Sequence, residues 1–224
     1  MFAQKEATHT QTDPADKPKE TQPKYKKPDV RWGRLGIAVV LIVTIAIACV
    51  IGLGGKHAPG WAESEGERFY YDGNGEMLQA CVANIGDNTY YFNAGGVMQT
   101  GWRKLNGATY YFDQYGRAVK ECLADIGTNT YYFNAEGFMQ TGWKKLNGSN
   151  YYFDNTGRAV KKCLAKIDGN TYYFNAEGIM QRGWKQLNGN EYYFDFNGVM
   201  ATGSRIIDGQ EYVFDEVGRL LLEN

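Results

Sequence analysis

From residue 60 onward the chain repeats itself about every 20 residues, and a longer period of 41 residues overlies the short one. Tryptophans that follow a glycine stand at Trp102, Trp143 and Trp184, each 41 positions from the next. The units between them begin with a cysteine instead. Eight units result, in four odd–even pairs, and they begin at Gly60, Cys81, Gly101, Cys122, Gly142, Cys163, Gly183 and Gly203. A period of this length predicts stacked copies of one supersecondary unit rather than a single large core.

Each unit has the pattern of a β-hairpin. In the third unit, a short run from Trp102 reaches Asn106-Gly107, and a second run ends at Phe112. Asn-Gly between two short strands is a strong hairpin signal because both turn positions need positive φ. The same kind of pair recurs at 147–148, 168–169, 188–189 and 208–209. Asp113, followed three positions later by Gly116, predicts a second turn in which the carboxylate bonds its own backbone.

These hairpins are expected to stack. An isolated hairpin is marginally stable in water, whereas neighbouring repeats can share a continuous core. We therefore predict a mostly β fold, a solenoid of eight tandem β-hairpin repeats over residues 60–224, with the degenerate first and last units as caps. Strand alternation puts Tyr110 and Phe112 on one face and Tyr111 on the other, so at least half of the repeat aromatics must pack internally.

An apolar segment precedes the repeats. Residues 35–55 contain no charge and only one clearly polar side chain, Thr44, and about 20 such residues suffice for a helix to cross a membrane. Five Lys and Arg residues lie between positions 24 and 34, and only Lys56 follows closely behind. The positive-inside rule then places the N-terminus in the cytoplasm and the repeats outside the cell. We predict a single transmembrane α-helix at 35–55, a disordered cytoplasmic tail at 1–34 and a linker at 56–59.

Two other interpretations of the apolar segment are a cleaved signal peptide and a lipoprotein signal. A cleaved signal peptide would have an unusually long 34-residue leader. A lipoprotein signal would use Cys49, but the residue three positions before it fits poorly and the apolar run continues beyond it. The favoured interpretation is a retained anchor in the plasma membrane, crossing it once, with the repeats extracellular.

Composition argues against several function classes. The chain has two histidines and a formal net charge of -1, which leaves little material for a His-based catalytic site and no basic stripe for nucleic acid. The recurring Asp113, Asp154 and Asp195 stand at turns, and the even units substitute Asn there. We therefore predict no enzyme, no metal site and no cofactor.

The repeat cysteines Cys81, Cys122 and Cys163 are also 41 residues apart. Equivalent positions two hairpins apart are unsuited to a disulfide, whose Cα atoms lie within about 7 Å of each other. Without a nearby histidine, a zinc site is disfavoured as well. Small, buried, unreactive side chains are the expected state.

The combination of Gly-Trp, Asn-Gly, Tyr-Tyr-Phe-Asp and a trailing Gly-x-Met or Gly-x-Ala resembles the cell-wall-binding repeat family of the choline-binding type. It is similar also to the short repeats of glucan-binding proteins and of large clostridial-type toxins. The resemblance covers residues 60–224 and implies a β-hairpin solenoid on a Gram-positive cell surface. It also implies that the ligand is choline-bearing teichoic acid or another wall carbohydrate.

Choline-binding members form an aromatic cage between successive hairpins, in which a quaternary ammonium is held by cation–π attraction. The resemblance places ligand-binding residues at Trp61, Trp102, Trp143 and Trp184, with Tyr111, Tyr152 and Tyr193 beside them. The position before the tyrosine pair, commonly Trp in that family, carries Thr89, Thr109, Thr130, Asn150, Thr171 or Glu191 here. This departure removes expected cage walls and favours carbohydrate over choline. The alternative hypothesis is a structural or protein-interaction scaffold of the cell envelope.

Overall fold

The computed structural model of the chain describes residues 25–26 and 57–221. Every regular element in these ranges is a β-strand. Sixteen five-residue strands form eight consecutive hairpins, numbered here as hairpins 1 to 8. Their strands are β2 (Gly60–Ser64), β3 (Glu67–Tyr71), β4 (Cys81–Ile85), β5 (Asn88–Phe92), β6 (Gly101–Leu105), β7 (Ala108–Phe112), β8 (Cys122–Ile126), β9 (Asn129–Phe133), β10 (Gly142–Leu146), β11 (Ser149–Phe153), β12 (Cys163–Ile167), β13 (Asn170–Phe174), β14 (Gly183–Leu187), β15 (Asn190–Phe194), β16 (Gly203–Ile207) and β17 (Gln210–Phe214).

The two strands of every hairpin are antiparallel and joined by a two-residue turn. In hairpin 3, Asn106 and Gly107 have φ of 50° and 83°, so both turn positions are left-handed as a type I′ turn requires. In hairpin 4, Gly127 has φ of 62° and stands first in the turn, the position where glycine favours type II′. The Asn-Gly prediction is confirmed. The turns that begin with glycine join the two strands of their hairpins with a different two-residue turn type.

Each second strand is followed by the predicted carboxylate or amide turn. Asp113 Oδ1 accepts hydrogen bonds from the backbone N–H groups of Tyr115 and Arg117, both at 2.9 Å. The Gly116 N–H donates to the Asp113 carbonyl, also at 2.9 Å. Phe112 then forms an isolated antiparallel bridge with Ala118. The turn therefore folds the linker back along the hairpin that it follows.

Backbone hydrogen bonds join successive hairpins, each of which belongs to a separate sheet. The Met98 N–H, in the linker after hairpin 2, donates to the Arg68 carbonyl in hairpin 1 at 2.7 Å. The Met139 N–H bonds the Thr109 carbonyl in the same way at 2.8 Å. Side chains add to this, since Lys120 Nζ donates to Thr89 Oγ1 at 2.8 Å. The linkers that follow hairpins 2 to 8 are thus each tied to the hairpin one step earlier.

The core consists of small clusters along the array. The last residue of the second strand, Phe92 through Phe194, is fully buried in hairpins 2 to 7, and Phe214 is 3% exposed. In hairpin 3, Tyr110 is buried and Tyr111 is half-buried, which confirms the two faces expected from strand alternation. The buried clusters each combine residues of an odd hairpin with those of the even hairpin after it. Hairpins therefore pack in odd–even pairs.

Strand β1 (Tyr25–Lys26) pairs antiparallel with Leu123 and Ala124 of β8. The apolar segment at 35–55, the remainder of the tail at 1–34 and Lys56 lie outside the described residues. Within the described part of the chain, no helix has the length and hydrophobicity needed to cross a membrane.

Candidate functional site

The tryptophans of the odd hairpins each stand opposite a tyrosine. Trp102 pairs across the hairpin with Tyr111, and Trp143 pairs with Tyr152. The indole and phenol rings of the first pair meet edge to face, with centroids 5.1 Å apart and an interplanar angle of 63°. The tryptophan follows a left-handed glycine, Gly101 at φ 74°, where glycine avoids the steric cost that a side chain would meet.

A third ring comes from the next hairpin. Tyr131, at the first tyrosine position of hairpin 4, lies 4.8 Å from Trp102 at 64°. The ring of Phe133, which is fully buried, lies 5.9 Å from the Trp102 ring, measured between centroids. An indole and two phenols therefore meet in different planes at the junction of two hairpins. The negative ring faces that such a group can offer are the surfaces that attract an organic cation or pack against an apolar sugar face.

The same group of three rings occurs at every odd–even junction. The four aromatic clusters are Trp61, Tyr70 and Tyr90; Trp102, Tyr111 and Tyr131; Trp143, Tyr152 and Tyr172; and Trp184, Tyr193 and Tyr212. Across the four, the Trp–Tyr centroid distances lie between 4.8 and 5.2 Å and the angles between 61° and 75°. The tryptophans are 37–38% exposed, so each cluster has an indole within reach of solvent.

The even–odd junctions are built differently. Leu123 of hairpin 4 occupies the tryptophan position, and its cross-strand partner Tyr132 stacks on Phe153 of hairpin 5 at 6.2 Å. In hairpin 5, burial raises the pKa of Tyr151, and the charge of Glu177 acts in the same direction. Without the indole, these junctions offer only tyrosines beside an aliphatic side chain.

The charges beside the four clusters differ. Strand alternation puts the residue two positions after each tryptophan on the same side of the strand, and these residues are Glu63, Lys104, Lys145 and Gln186. Opposite them stand Arg68, Thr109, Asn150 and Glu191. The rings are repeated closely, but the electrostatic surroundings are not.

The sequence-based site residues are brought together as pairs. Trp102, Trp143 and Trp184 each contact the expected tyrosine, Tyr111, Tyr152 or Tyr193, and Trp61 contacts Tyr70, which was not singled out. The second tyrosine of each cluster was missed. The family pattern places an aromatic ring at the position of Thr109. In the structure the additional ring beside Trp102 is Tyr131 of the following hairpin. Each odd–even junction therefore has a third ring that the sequence-based inference of missing cage walls did not include.

The turn carboxylates are structural. Asp154 Oδ1 accepts hydrogen bonds from the Thr156 hydroxyl at 2.6 Å and from the Arg158 N–H at 2.9 Å. Burial alone would raise the pKa of Asp154, but these bonds and the Arg158 charge outweigh it and lower the pKa below its ordinary value. Over residues 57–221 no group of His, Cys, Asp and Glu is arranged to hold a metal ion.

The cysteines are not all alike. Cys81 and Cys122 are buried, at 0% and 4% exposure, as expected for small packed residues. Cys163 is exposed, so the expectation of burial is wrong there. Strand pairing does not account for the difference, because β4 and β12 each pair only with the second strand of their own hairpin.

The chain is similar to known proteins both in sequence and in structure. A family model described as the choline-binding repeat matches residues 80–114, 99–139, 140–182 and 181–220. No match was found among curated protein sequences. Solved structures from Streptococcus pneumoniae are similar: CbpJ, at 29% identity and a TM-score of 0.66, and choline binding protein F, at 30% and 0.67.

The similarity covers 73% of this chain for CbpJ and 74% for choline binding protein F, and in both cases 58% of the other chain. This chain therefore spans little more than half the length of those two proteins. Choline binding protein F has also been solved in the presence of a peptidoglycan analogue, and that structure is 28% identical with a TM-score of 0.67. The choline-binding domain of CbpL, also from Streptococcus pneumoniae, is 26% identical with a TM-score of 0.56, and the match covers 74% of this chain and 87% of that domain.

Proposed function

Because this chain belongs to the choline-binding repeat family, we propose that its four aromatic clusters bind the choline groups of cell-wall teichoic acid. The observation that carries the proposal is the contact of each exposed indole with two tyrosines, one from its own hairpin and one from the next. A quaternary ammonium cannot form a hydrogen bond or be neutralised by losing a proton, so aromatic faces suit it better than carboxylates do. The module acts by attachment and carries out no catalysis.

The contacts favour choline over the carbohydrate first preferred from sequence. That preference rested on missing rings, and the neighbouring hairpin supplies one at each odd–even junction. The indole meets each tyrosine at 61–75°, and aromatic rings in different planes suit a compact cation. A sugar ring, by contrast, stacks flat on one aromatic face.

Retention by isolated cell walls tests the ligand. The full-length chain in mild detergent is sedimented with choline-bearing walls, with excess free choline or with excess glucan oligosaccharide. We expect free choline, and not the glucan, to release the protein. The W102L/W143L/W184L variant, which carries the residue found at this position in hairpins 4 and 6, should lose wall retention by at least tenfold, because each lost cation–π contact contributes about 0.5–2 kcal/mol.

The matched control is W102Y/W143Y/W184Y, which keeps an aromatic ring at each site and should retain much of the binding. Release by glucan with no effect of choline would replace choline with polysaccharide as the ligand. A folded protein that does not sediment with walls at all would refute the proposal and favour the scaffold function.

The second part of the proposal concerns attachment to the membrane. The uncharged residues 35–55, with basic residues before them, support a single spanning anchor that holds the repeats against the inner side of the wall. Family membership indicates a cell-surface protein and is consistent with repeats outside the cell. The protein would then be fixed to the membrane at one end and to wall polymer along its length.

A further inference from the structure

The first aromatic cluster differs from the other three by a charge. The guanidinium carbon of Arg68 lies 4.6 Å from the centroid of the Trp61 ring, within the distance over which a cation and an aromatic face attract each other. Arg68 is half-buried and stands opposite Glu63 on hairpin 1. Its carbonyl accepts the hydrogen bond from the Met98 N–H, which fixes the backbone from which this side chain extends.

The equivalent positions of the other odd hairpins carry no cation. They are Thr109, Asn150 and Glu191. Elsewhere in residues 57–221 the guanidinium–ring contacts involve Tyr115 and Phe196 and none of the other three tryptophans. Trp61 is 38% exposed and the others 37%, so the clusters differ in charge over the indole and not in exposure.

We propose that Arg68 acts as an internal cation that competes with the ligand at the first cluster, so that the chain has three strong sites and one weak site. This inference rests on the proposed binding of quaternary ammonium groups. A ligand must displace the guanidinium before it reaches the indole face. Displacement of the guanidinium should weaken the first site by about 2- to 5-fold.

Site-resolved binding tests the inference on the full-length chain in detergent. Labelling tryptophan with ¹⁵N gives one indole N–H signal per residue, and single Trp→Phe variants assign the signals. Choline is then titrated, and a dissociation constant is obtained at each tryptophan. We expect the Trp61 signal to need about 2- to 5-fold more choline than the Trp102 signal to reach half of its shift.

Two substitutions test the cause. R68T installs the residue that hairpin 3 carries and should bring the Trp61 site within about twofold of the Trp102 site. The reciprocal T109R places an arginine in the second cluster and should weaken the Trp102 site several-fold while leaving Trp143 unchanged. Neither residue belongs to the ring clusters, so the four indoles remain in both variants.

The outcomes separate this inference from the proposed function. Equal affinities at the four repeat tryptophans in the unmodified chain would overturn the inference and leave the proposed function standing. A weak first site that R68T fails to strengthen would also overturn it, since the weakness would then have another cause. If no indole responded to choline, the proposed function would fail and the inference with it.

Discussion

At the scale of single residues, the array depends on glycines packed against the preceding repeat. A Cβ built on Gly157 would lie 2.6 Å from Met139 Cε, and one on Gly198 would lie 2.6 Å from Met180 Sδ. Both glycines have φ near 83°, in the left-handed region where side chains are strained. The trailing methionine of one unit therefore occupies the space that the next unit leaves by having glycine.

This packing gives a stability prediction with an internal control. Gly148→Ala, in a hairpin turn with φ of 80° and nothing within 4 Å of the added carbon, should cost about 1–2 kcal/mol from backbone strain alone. Gly157→Ala should cost that amount and about 1–3 kcal/mol more for overpacking against Met139. Urea unfolding monitored by circular dichroism measures both, and M139A with M139A/G157A completes a double-mutant cycle. Equal losses for the two glycine variants would contradict the packing argument.

The features that could be predicted from the sequence are those formed by residues close to one another along the chain. Asn106-Gly107, Asp113 to Gly116 and the two faces of the Tyr-Tyr-Phe run follow from local stereochemistry, and the structure confirms them. Tyr131 was missed because its contact with Trp102 depends on how one hairpin stacks on the next. Strand alternation fixes the side of the strand from which a side chain extends, but it does not fix the neighbour that the side chain meets.

At the scale of the hairpin, odd and even units have different tasks. Odd hairpins contribute an indole and a tyrosine to each cluster. Even hairpins contribute a second tyrosine, which is buried in hairpins 2 and 4 and half-buried in hairpins 6 and 8, and a buried phenylalanine. The period of 41 residues was evident in the sequence, but its physical basis was not. The clusters show that one odd and one even hairpin share a core, so the pair is the structural unit.

Since the even hairpins lack only the indole, we predict that a fifth cluster can be created at an even–odd junction by adding a tryptophan. Leu164 is 40% exposed and pairs across hairpin 6 with Tyr173, and Tyr192 holds the first tyrosine position of hairpin 7. L164W should therefore create a new three-ring site with choline affinity within about tenfold of the Trp143 site. The ¹⁵N indole titration measures it directly.

L164I is the control, because it fills the position without supplying a ring. The prediction is wrong if the indole signal introduced by L164W does not shift with choline while the other indole signals still do. The even–odd junctions would then have the wrong geometry for binding.

At the scale of the whole molecule, the pairing of β1 with β8 and the predicted membrane topology exclude each other. Tyr25–Lys26 lies beside Leu123 and Ala124 in the fold, whereas a spanning helix at 35–55 would put these segments on opposite sides of the membrane. The hydropathy and charge pattern predicts the second arrangement.

The exposed thiol of Cys163 allows a direct test in the intact chain. Protoplasts of a Gram-positive host that express the chain are treated with a membrane-impermeant maleimide, and labelled peptides are identified by mass spectrometry. A spanning anchor predicts that Cys163 is labelled in intact protoplasts, and that a cysteine introduced by T21C reacts only after permeabilisation. Labelling of both without permeabilisation would rule out the anchor and agree with the β1–β8 pairing.

The regular 41-residue spacing of the clusters has a consequence for how attachment is made and lost. A polymer that carries many copies of a small ligand can engage several clusters of one array, and each further contact forms at the high effective concentration set by the first. Individually weak sites then give long residence through avidity. Contacts can also exchange one at a time, so the protein could move along the polymer without detaching. Because Arg68 weakens the first site, the number of strong contacts in one array falls from four to about three. The weak contact lies in the hairpin nearest the proposed anchor.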